Sequence, residues 1–307
     1  MKLVSIITVN YLQPALTVDL LNSVARHADT QAVEIIVVDN GSVHDQESVF
    51  NAAYPNVVYV RSEKNLGFAG GNNLGIRHAK GDYLLFLNND TEITADFVSK
   101  LSEELDNQPT IGLLSPLILY FEDKHKIQYA GYTPMNYFTG RNHGVGSLED
   151  DRGQYDAMTA ETGYCHGAAM MCRRSDLARA GLMEEHFFLY YEELDWCEKF
   201  KRAGFMLGFT GKAKIYHKES MSVGKESPLK TYFMTRNRWL FIRRNAKPLQ
   251  AFVFACYYLL IASPMLIARY MSKGRFDLAK AALKAIWWNM TQPVDSCMLG
   301  MRTPGRS

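Results

Sequence analysis

Glu192, Glu193 and Asp195 stand together where a polar, helix-favouring stretch begins. A carboxylate so placed can take a proton from a hydroxyl as a new bond forms, or it can simply favour a helix N-terminus. Asn88-Asn89-Asp90 follows an apolar run; its oxygen ligands suit a divalent cation, although only Asp90 supplies a carboxylate. His217 closes a later extended segment, and an imidazole is acceptable to Mn2+ and less apt for Mg2+. Asp39-Asn40-Gly41-Ser42 ends another apolar run, where Asp39 either meets a ligand or caps its own loop. The stretch from Asn65 to Asn73 is rich in glycine and opens a helix. Glycine permits close backbone approach, and helix N-termini favour phosphate. It is not GxGxxG, and no Walker lysine follows it.

These groups need elements to hold them. Residues 4–9, 33–38, 57–60 and 83–87 read as short strands that are apolar on both faces. Residues 16–28 and 70–79 carry helical spacing between them. Such alternation predicts a parallel sheet covered on both sides, with ligands at the carboxyl ends of its strands. The polar clusters Thr8-Val9-Asn10, Asp39-Asn40-Gly41 and Asn88-Asn89-Asp90 all fall there. Residues 110–162 read as less regular, an acceptor-side region of loops. After them come a strand at 167–172, a short helix at 175–180, a longer helix at 193–203, and two extended segments at 205–208 and 213–216.

The chain has 307 residues and an apolar content of 47%, enough for one large α/β domain with an appendage. Five cysteines, an odd number without zinc spacing, and no secretory signal at Met1 point to a reduced, cytoplasmic chain. The net charge of +2 conceals a division: from Arg236 onward there are twelve Lys/Arg against two acids. The same tail holds twenty uncharged residues at 249–268, interrupted by Ser263-Pro264 and flanked by basic residues. After it, Phe276, Ala279, Leu283, Ile286, Trp287 and Met290 share a helical face. An anionic membrane surface accounts for both charge and apolarity, which nucleic acid does not. The break at Pro264 and the basic flanks favour lying in the interface over spanning it; a buried helix or a subunit contact in a homo-oligomer is the other reading.

Taken in order, Val4-Ser5-Ile6-Ile7-Thr8-Val9-Asn10-Tyr11, Val37-Val38-Asp39-Asn40-Gly41-Ser42, Asn65-Leu66-Gly67-Phe68-Ala69-Gly70-Gly71-Asn72-Asn73, Phe86-Leu87-Asn88-Asn89-Asp90 and Tyr190-Tyr191-Glu192-Glu193-Leu194-Asp195-Trp196-Cys197 with His217 downstream resemble family-two glycosyltransferases. Rhamnosyltransferase-like members are the nearest subgroup. The resemblance implies a GT-A fold, α/β with a mostly parallel central sheet flanked by helices, and a C-terminal helical membrane-associating tail. It divides the chain into a catalytic domain at 1–240, with a nucleotide-binding half at 1–109 and an acceptor-binding, catalytic half at 110–240, and a tail at 241–307. It implies that Thr8, Asn10, Asp39, Asn65, Gly67, Gly71, Asn72, Asn88, Asn89 and Arg238 hold the nucleotide sugar. Asp90, in the place of the DxD motif, and His217 then hold Mn2+ or Mg2+. Both earlier DxD positions are Asn here. Glu193 takes the place of the base, usually Asp, with Glu192 and Asp195 beside it.

The implied reaction is inverting transfer of a sugar from a nucleotide-diphosphate donor to a lipid-linked or polysaccharide acceptor at the inner face of the cell membrane. The subgroup favours dTDP-rhamnose; UDP-hexose and UDP-N-acetylhexosamine are the alternatives. A nucleotidyltransferase should carry a basic, glycine-rich loop after the first strand, where Tyr11-Leu12-Gln13-Pro14 stands instead. A non-catalytic membrane module would leave the ordered motifs unexplained.

Overall fold

The computed structural model describes residues 2–28, 32–218 and 226–303. In chain order the elements are β1 (Val4–Asn10), α1 (Pro14–His27), β2 (Val33–Asn40), α2 (Glu47–Ala53), β3 (Val58–Ser62), α3 (Gly67–His78), β4 (Tyr83–Leu87), β5 (Thr91–Ile93) and α4 (Phe97–Asn107). There follow β6 (Ile111–Tyr120), β7 (Ile127–Tyr129), β8 (Thr159–Glu161), β9 (Ala169–Arg173), α5 (Leu177–Ala180), α6 (Glu192–Arg202) and β10 (Met206–His217). The tail supplies α7 (Pro228–Asn245), α8 (Pro248–Tyr257), α9 (Ser263–Ser272) and α10 (Phe276–Thr291). Residues 304–307 of the expected tail lie outside the described residues.

The strands form one sheet in the order β3-β2-β1-β4-β9-β6-β10-β5, with β7 beside β6 and β8 beside β10. This is the expected α/β architecture, a mostly parallel central sheet with helices on both faces. Strands β3, β2, β1 and β4 are parallel throughout. Strand β9 runs antiparallel between β4 and β6 and joins this half to the second. Two apolar layers sandwich the sheet. One gathers Ile6, Leu20, Val24 and Leu101; the other gathers Ile7, Val38, Phe86, Trp196 and Phe241.

The second half is more regular than its sequence suggests. Strand β6 is ten residues long and almost wholly buried, although it contains Pro116. Proline cannot donate to a ladder. Its neighbour β10 answers with a bulge: Thr210 pairs with Pro116 and Lys214 with Leu117, so three residues loop out beside the proline. The two extended segments expected at 205–208 and 213–216 are therefore one bulged strand.

The tail also departs from expectation. Ser263-Pro264 does not break the helix. Residues Tyr258–Ala262 form a π-helical turn, and α8 and α9 continue as one 25-residue helix, Pro248–Ser272. Pro264 cannot donate to the carbonyl four residues back, and the wider turn absorbs that missing bond. Helix α10 buries Leu278, Ala282, Ala285 and Trp288 and exposes Phe276, Leu283, Trp287 and Met290. Ala279 and Ile286, expected on the exposed apolar face, are buried with the first group. The helix is thus apolar on two sides, one spent on packing against α7.

Candidate active site

The carboxyl ends of β1, β2 and β4 meet in a chain of amides and hydroxyls. Asn10 Nδ2 donates to Asp39 Oδ1 (3.0 Å), Thr17 Oγ1 donates to Asn10 Oδ1 (3.1 Å), and Asn89 Nδ2 donates to Thr17 Oγ1 (3.1 Å). Ser42 and Tyr59 also donate to the Asp39 carboxylate, which is fully buried. Both Asp39 oxygens are thus engaged by protein groups, and Asp39 ties the strand ends together. Thr8 is fully buried one turn of the pleat behind Asn10, and among the described residues its hydroxyl has no partner. It stands in the sheet rather than on the site.

The glycine-rich stretch is built against β2. Asn40 Nδ2 donates to Asn65 Oδ1 (3.2 Å) and Gly67 O (3.1 Å), while Leu66 N donates to Asn40 Oδ1 (2.8 Å). Gly41 has φ +92°, and a Cβ on it would lie 2.7 Å from Asn65 N, so this close passage admits only glycine. The α3 N-terminus is not open to a phosphate as expected: Phe68 N donates to Phe188 O (2.8 Å), covering the first turn. Gly71 has a packing role, since a Cβ there would sit 2.8 Å from Val9 Cγ1 and push α3 off the sheet. Asn72 turns back to Phe68 O (3.0 Å) within its helix.

Pairing of β5 with β10 places Thr91 opposite His217 and so sets Asp90 beside the imidazole. His217 Nε2 lies 3.2 Å from Asp90 Oδ1, both side chains nearly buried. Gln128 Oε1 stands 2.8 Å from His217 Nδ1. With that oxygen accepting the Nδ1 proton, Nε2 presents a lone pair toward a carboxylate. Two acceptors facing each other fit a cation held between them. Among the described residues no group of three or more His, Cys, Asp or Glu surrounds such a point. The pair therefore suits a cation that completes its shell with substrate oxygens and water.

Glu193 packs on Gly167, where a Cβ would lie 3.5 Å from Glu193 Cγ. The next residue, Ala168, accepts from Asn88 N (2.9 Å). The His166 ring lies 6.0 Å from that of His217, centroid to centroid. Residues 166–168 therefore touch both the Glu193 side and the Asp90–His217 side of the site. Burial raises the Glu193 carboxyl above its ordinary value. Burial and then the Glu193 charge raise Glu192 well above it. Glu192 is almost fully buried, and among the described residues its Oε2 has no partner. Asp195 is committed elsewhere: Oδ1 accepts from Arg244 Nε (3.1 Å) and Asn245 Nδ2 (2.8 Å), pinning α6 to α7.

Residues 5–180 match the family described as Glycosyl transferase family 2. The chain belongs to that family. Relatives with specific names include the following three. A low-salt glycan biosynthesis hexosyltransferase, Agl10 of Haloferax volcanii, is 26% identical over 77% of this chain and 74% of its own. A dTDP-rhamnosyl transferase, RfbF of Shigella flexneri, is 24% identical over 82% and 85%. An N-acetylglucosaminyl-diphospho-decaprenol L-rhamnosyltransferase of Mycobacterium tuberculosis is 22% identical over 65% and 71%. Two solved structures share the GT-A fold. The mannosyltransferase PcManGT of Pyrobaculum calidifontis, in complex with GDP-Man and Mn2+, aligns at TM-score 0.59 and 15% identity over 93% of this chain and 87% of that one. GalNAc-T7 with UDP, GalNAc and Mn2+ aligns at TM-score 0.60 and 16% identity over 81% of this chain, which spans about half (52%) of that one. The chain is thus a glycosyltransferase of glycan biosynthesis.

Four residues of this glycosyltransferase carry roles that sequence reasoning did not assign. Asn40 organises the glycine-rich loop, and Gln128 orients His217. His166 accepts from Ala168 N at Nδ1 (3.1 Å), which leaves its proton on Nε2; burial and the nearby His217 hold its pKa down to about 3. Asn237 Nδ2 donates to Phe187 O, Leu189 O and Tyr190 O, each within 2.9 Å. Only His166 had a usable signal, a histidine just before a strand that enters the sheet. Arg238, expected at the nucleotide, stands by Thr139, Gly140 and Tyr258.

Proposed function

We propose that this glycosyltransferase moves L-rhamnose from dTDP-rhamnose, with inversion, to a hydroxyl of a lipid-linked acceptor in cell-surface glycan synthesis. The observation that carries the reading is Glu193, a carboxylate with a raised proton affinity held on the same 166–168 segment as the Asp90–His217 pair. Glu193 takes the acceptor hydroxyl proton as that oxygen attacks the anomeric carbon. The bond from that carbon to the nucleoside diphosphate breaks on the opposite face, so no covalent enzyme intermediate forms. Asp90 and His217 would hold Mn2+ or Mg2+, which when bound supplies positive charge to the leaving diphosphate. Asn10, Asn88 and Asn89 line the strand ends where the donor sits, with Asp39 and Asn65 setting their surroundings. The names of the Shigella and Mycobacterium relatives support rhamnose and an isoprenoid acceptor. The Mn2+ in two structural neighbours supports the cation.

The exposed apolar sides of α8, α9 and α10 support a peripheral site on the cytoplasmic face of a membrane. The Pro248–Ser272 helix is long and apolar enough to span, yet Phe254, Tyr258, Ser263 and Tyr270 are buried along it. Tyr258 donates to Thr235 O in α7 (3.1 Å). A helix docked lengthwise on its own catalytic domain lies along the surface of a bilayer rather than through it. The deciding experiment measures product from dTDP-rhamnose, UDP-glucose, UDP-galactose and UDP-N-acetylglucosamine, with Mn2+, Mg2+ or EDTA. Turnover of dTDP-rhamnose above the UDP sugars is expected; preference for a UDP sugar would replace the donor, and no turnover of any would overturn the catalytic reading.

A further inference from the structure

A cleft of about 310 Å3 opens between residues 140–142, α7 and α9. Arg238, Arg141, Tyr191, Thr231, Leu266 and Tyr270 are among its walls. We propose that this cleft takes the diphosphate of an isoprenoid-linked acceptor, with Arg238 and Arg141 pairing to it. The proposal rests on transfer to a lipid-linked acceptor and names where that lipid's charged group is held.

Three observations carry it. The first is charge. Among the described residues neither Arg238 nor Arg141 has an ion-pair partner, and no acid lines the cleft. Among the described residues the solvent-shielded Arg238 Nε has no hydrogen-bond partner, while the same guanidinium spends one NH2 on Thr139 O and rests near the Tyr258 ring. A guanidinium fork and hydroxyl donors from threonine and tyrosine suit phosphate oxygens. The second is placement toward the reaction. Tyr191 lines the cleft and immediately precedes Glu192-Glu193, so a group anchored here sits next to the base-bearing turn. The third is placement toward lipid. Leu266 and Tyr270 enter the cleft from the apolar helix, whose Leu260, Ile261 and Met265 are exposed beside it. An isoprenoid chain could leave the cleft directly along that surface.

The test uses the full chain in detergent micelles with farnesyl diphosphate, farnesol and inorganic pyrophosphate as probes, followed by calorimetry. Farnesyl diphosphate should bind, farnesol should not, and Arg238→Gln and Arg141→Gln should each weaken binding at least tenfold. Affinity for the nucleoside diphosphate of the donor should stay unchanged in both variants. Arg141 is exposed, so its variant tests the cleft even if Arg238→Gln folds poorly. Unchanged farnesyl diphosphate affinity in Arg141→Gln and in folded Arg238→Gln overturns the proposal. Loss of nucleotide affinity in step would return Arg238 to the donor site and also overturn it. Flotation with phosphatidylglycerol vesicles separates the lipid sources: it should be retained by the variants, and its parallel loss would make the cleft a general headgroup site instead. None of these readouts needs sugar transfer, so the cleft can fail while the transferase reading stands, and the converse.

Discussion

Glu193 and Glu192 are chain neighbours with different surroundings, and that difference separates their work. Glu192 is sealed behind α7 with one oxygen unpartnered, whereas Glu193 keeps part of its surface open against Gly167. Glu193→Gln should bind donor normally and lose transfer at least about a hundredfold, the usual worth of a general base. Near-normal turnover by the folded variant would remove Glu193 from the role. The raised Glu193 pKa gives a second reading of the same residue. Transfer needs the ionised form, so activity is lost as pH falls through that value. The acid limb of kcat/KM should therefore lie above the ordinary glutamate value of about 4.3. A limb at or below it would contradict the assignment. Asp90→Ala and His217→Ala should each weaken donor binding measured by calorimetry with Mn2+, Asp90 more strongly because it carries the charge. Full activity in EDTA would defeat the cation. That Asp90 and His217 would meet was legible from motif order, which is a property of the chain. Gln128 was not, because nothing around it in sequence indicates that β7 will lie beside the end of β10 through β6.

At the scale of elements, the segment before α6 is held in an unfavourable backbone. Phe188, Tyr190 and Tyr191 all have positive φ, between 66° and 76°. Each such residue costs on the order of 1–2 kcal/mol and persists only if its surroundings over-determine it. Asn237 of α7 supplies that constraint through its three carbonyl contacts. Asn237→Ala should cost roughly 2–3 kcal/mol in denaturant unfolding, about 1 per hydrogen bond, and should lower kcat by letting the turn relax. A variant that loses stability but keeps kcat would show that α6 positions Glu193 unaided. Asp195→Ala should differ in kcat: it removes the Asp195 partner of Arg244 and Asn245, with Glu184 still pairing Arg244, at a cost of roughly 1–3 kcal/mol, while kcat of the folded fraction is retained. The first-half strands were legible because each is a short apolar run bounded by turns. Strand β6 was not, because Gly112 and Pro116 read as breakers until the bulge of β10 is seen opposite them.

Over the whole molecule, the tail both packs on the rest of the chain and offers a candidate membrane face. Arg236 is fully buried, donates to Leu299 O (3.0 Å) and to His186 O, and lies over the Trp288 ring. Removing everything after Leu249 would strip that cover and unfold the very domain under test. Surface substitutions are cleaner. Leu260→Glu with Met265→Glu should keep the melting temperature and abolish flotation with anionic liposomes, since both side chains are exposed. Undiminished flotation would put the membrane contact elsewhere. The π-helical turn at Tyr258–Ala262 then acquires a second meaning. In an α-helix, five residues advance about 500°, so residue 263 would point some 140° away from residue 258. An i to i+5 turn brings them back onto one side, as the burial of both Tyr258 and Ser263 requires. The wider turn takes up one extra residue and keeps the two halves of the rod in phase. Inserting one further residue among 259–262 would rotate α9 by about 100° against α8, swinging Leu266 and Tyr270 out of the cleft and its exposed methionines toward the protein. The enzyme would keep its chemistry and its greasy helix but lose the azimuth that relates one to the other.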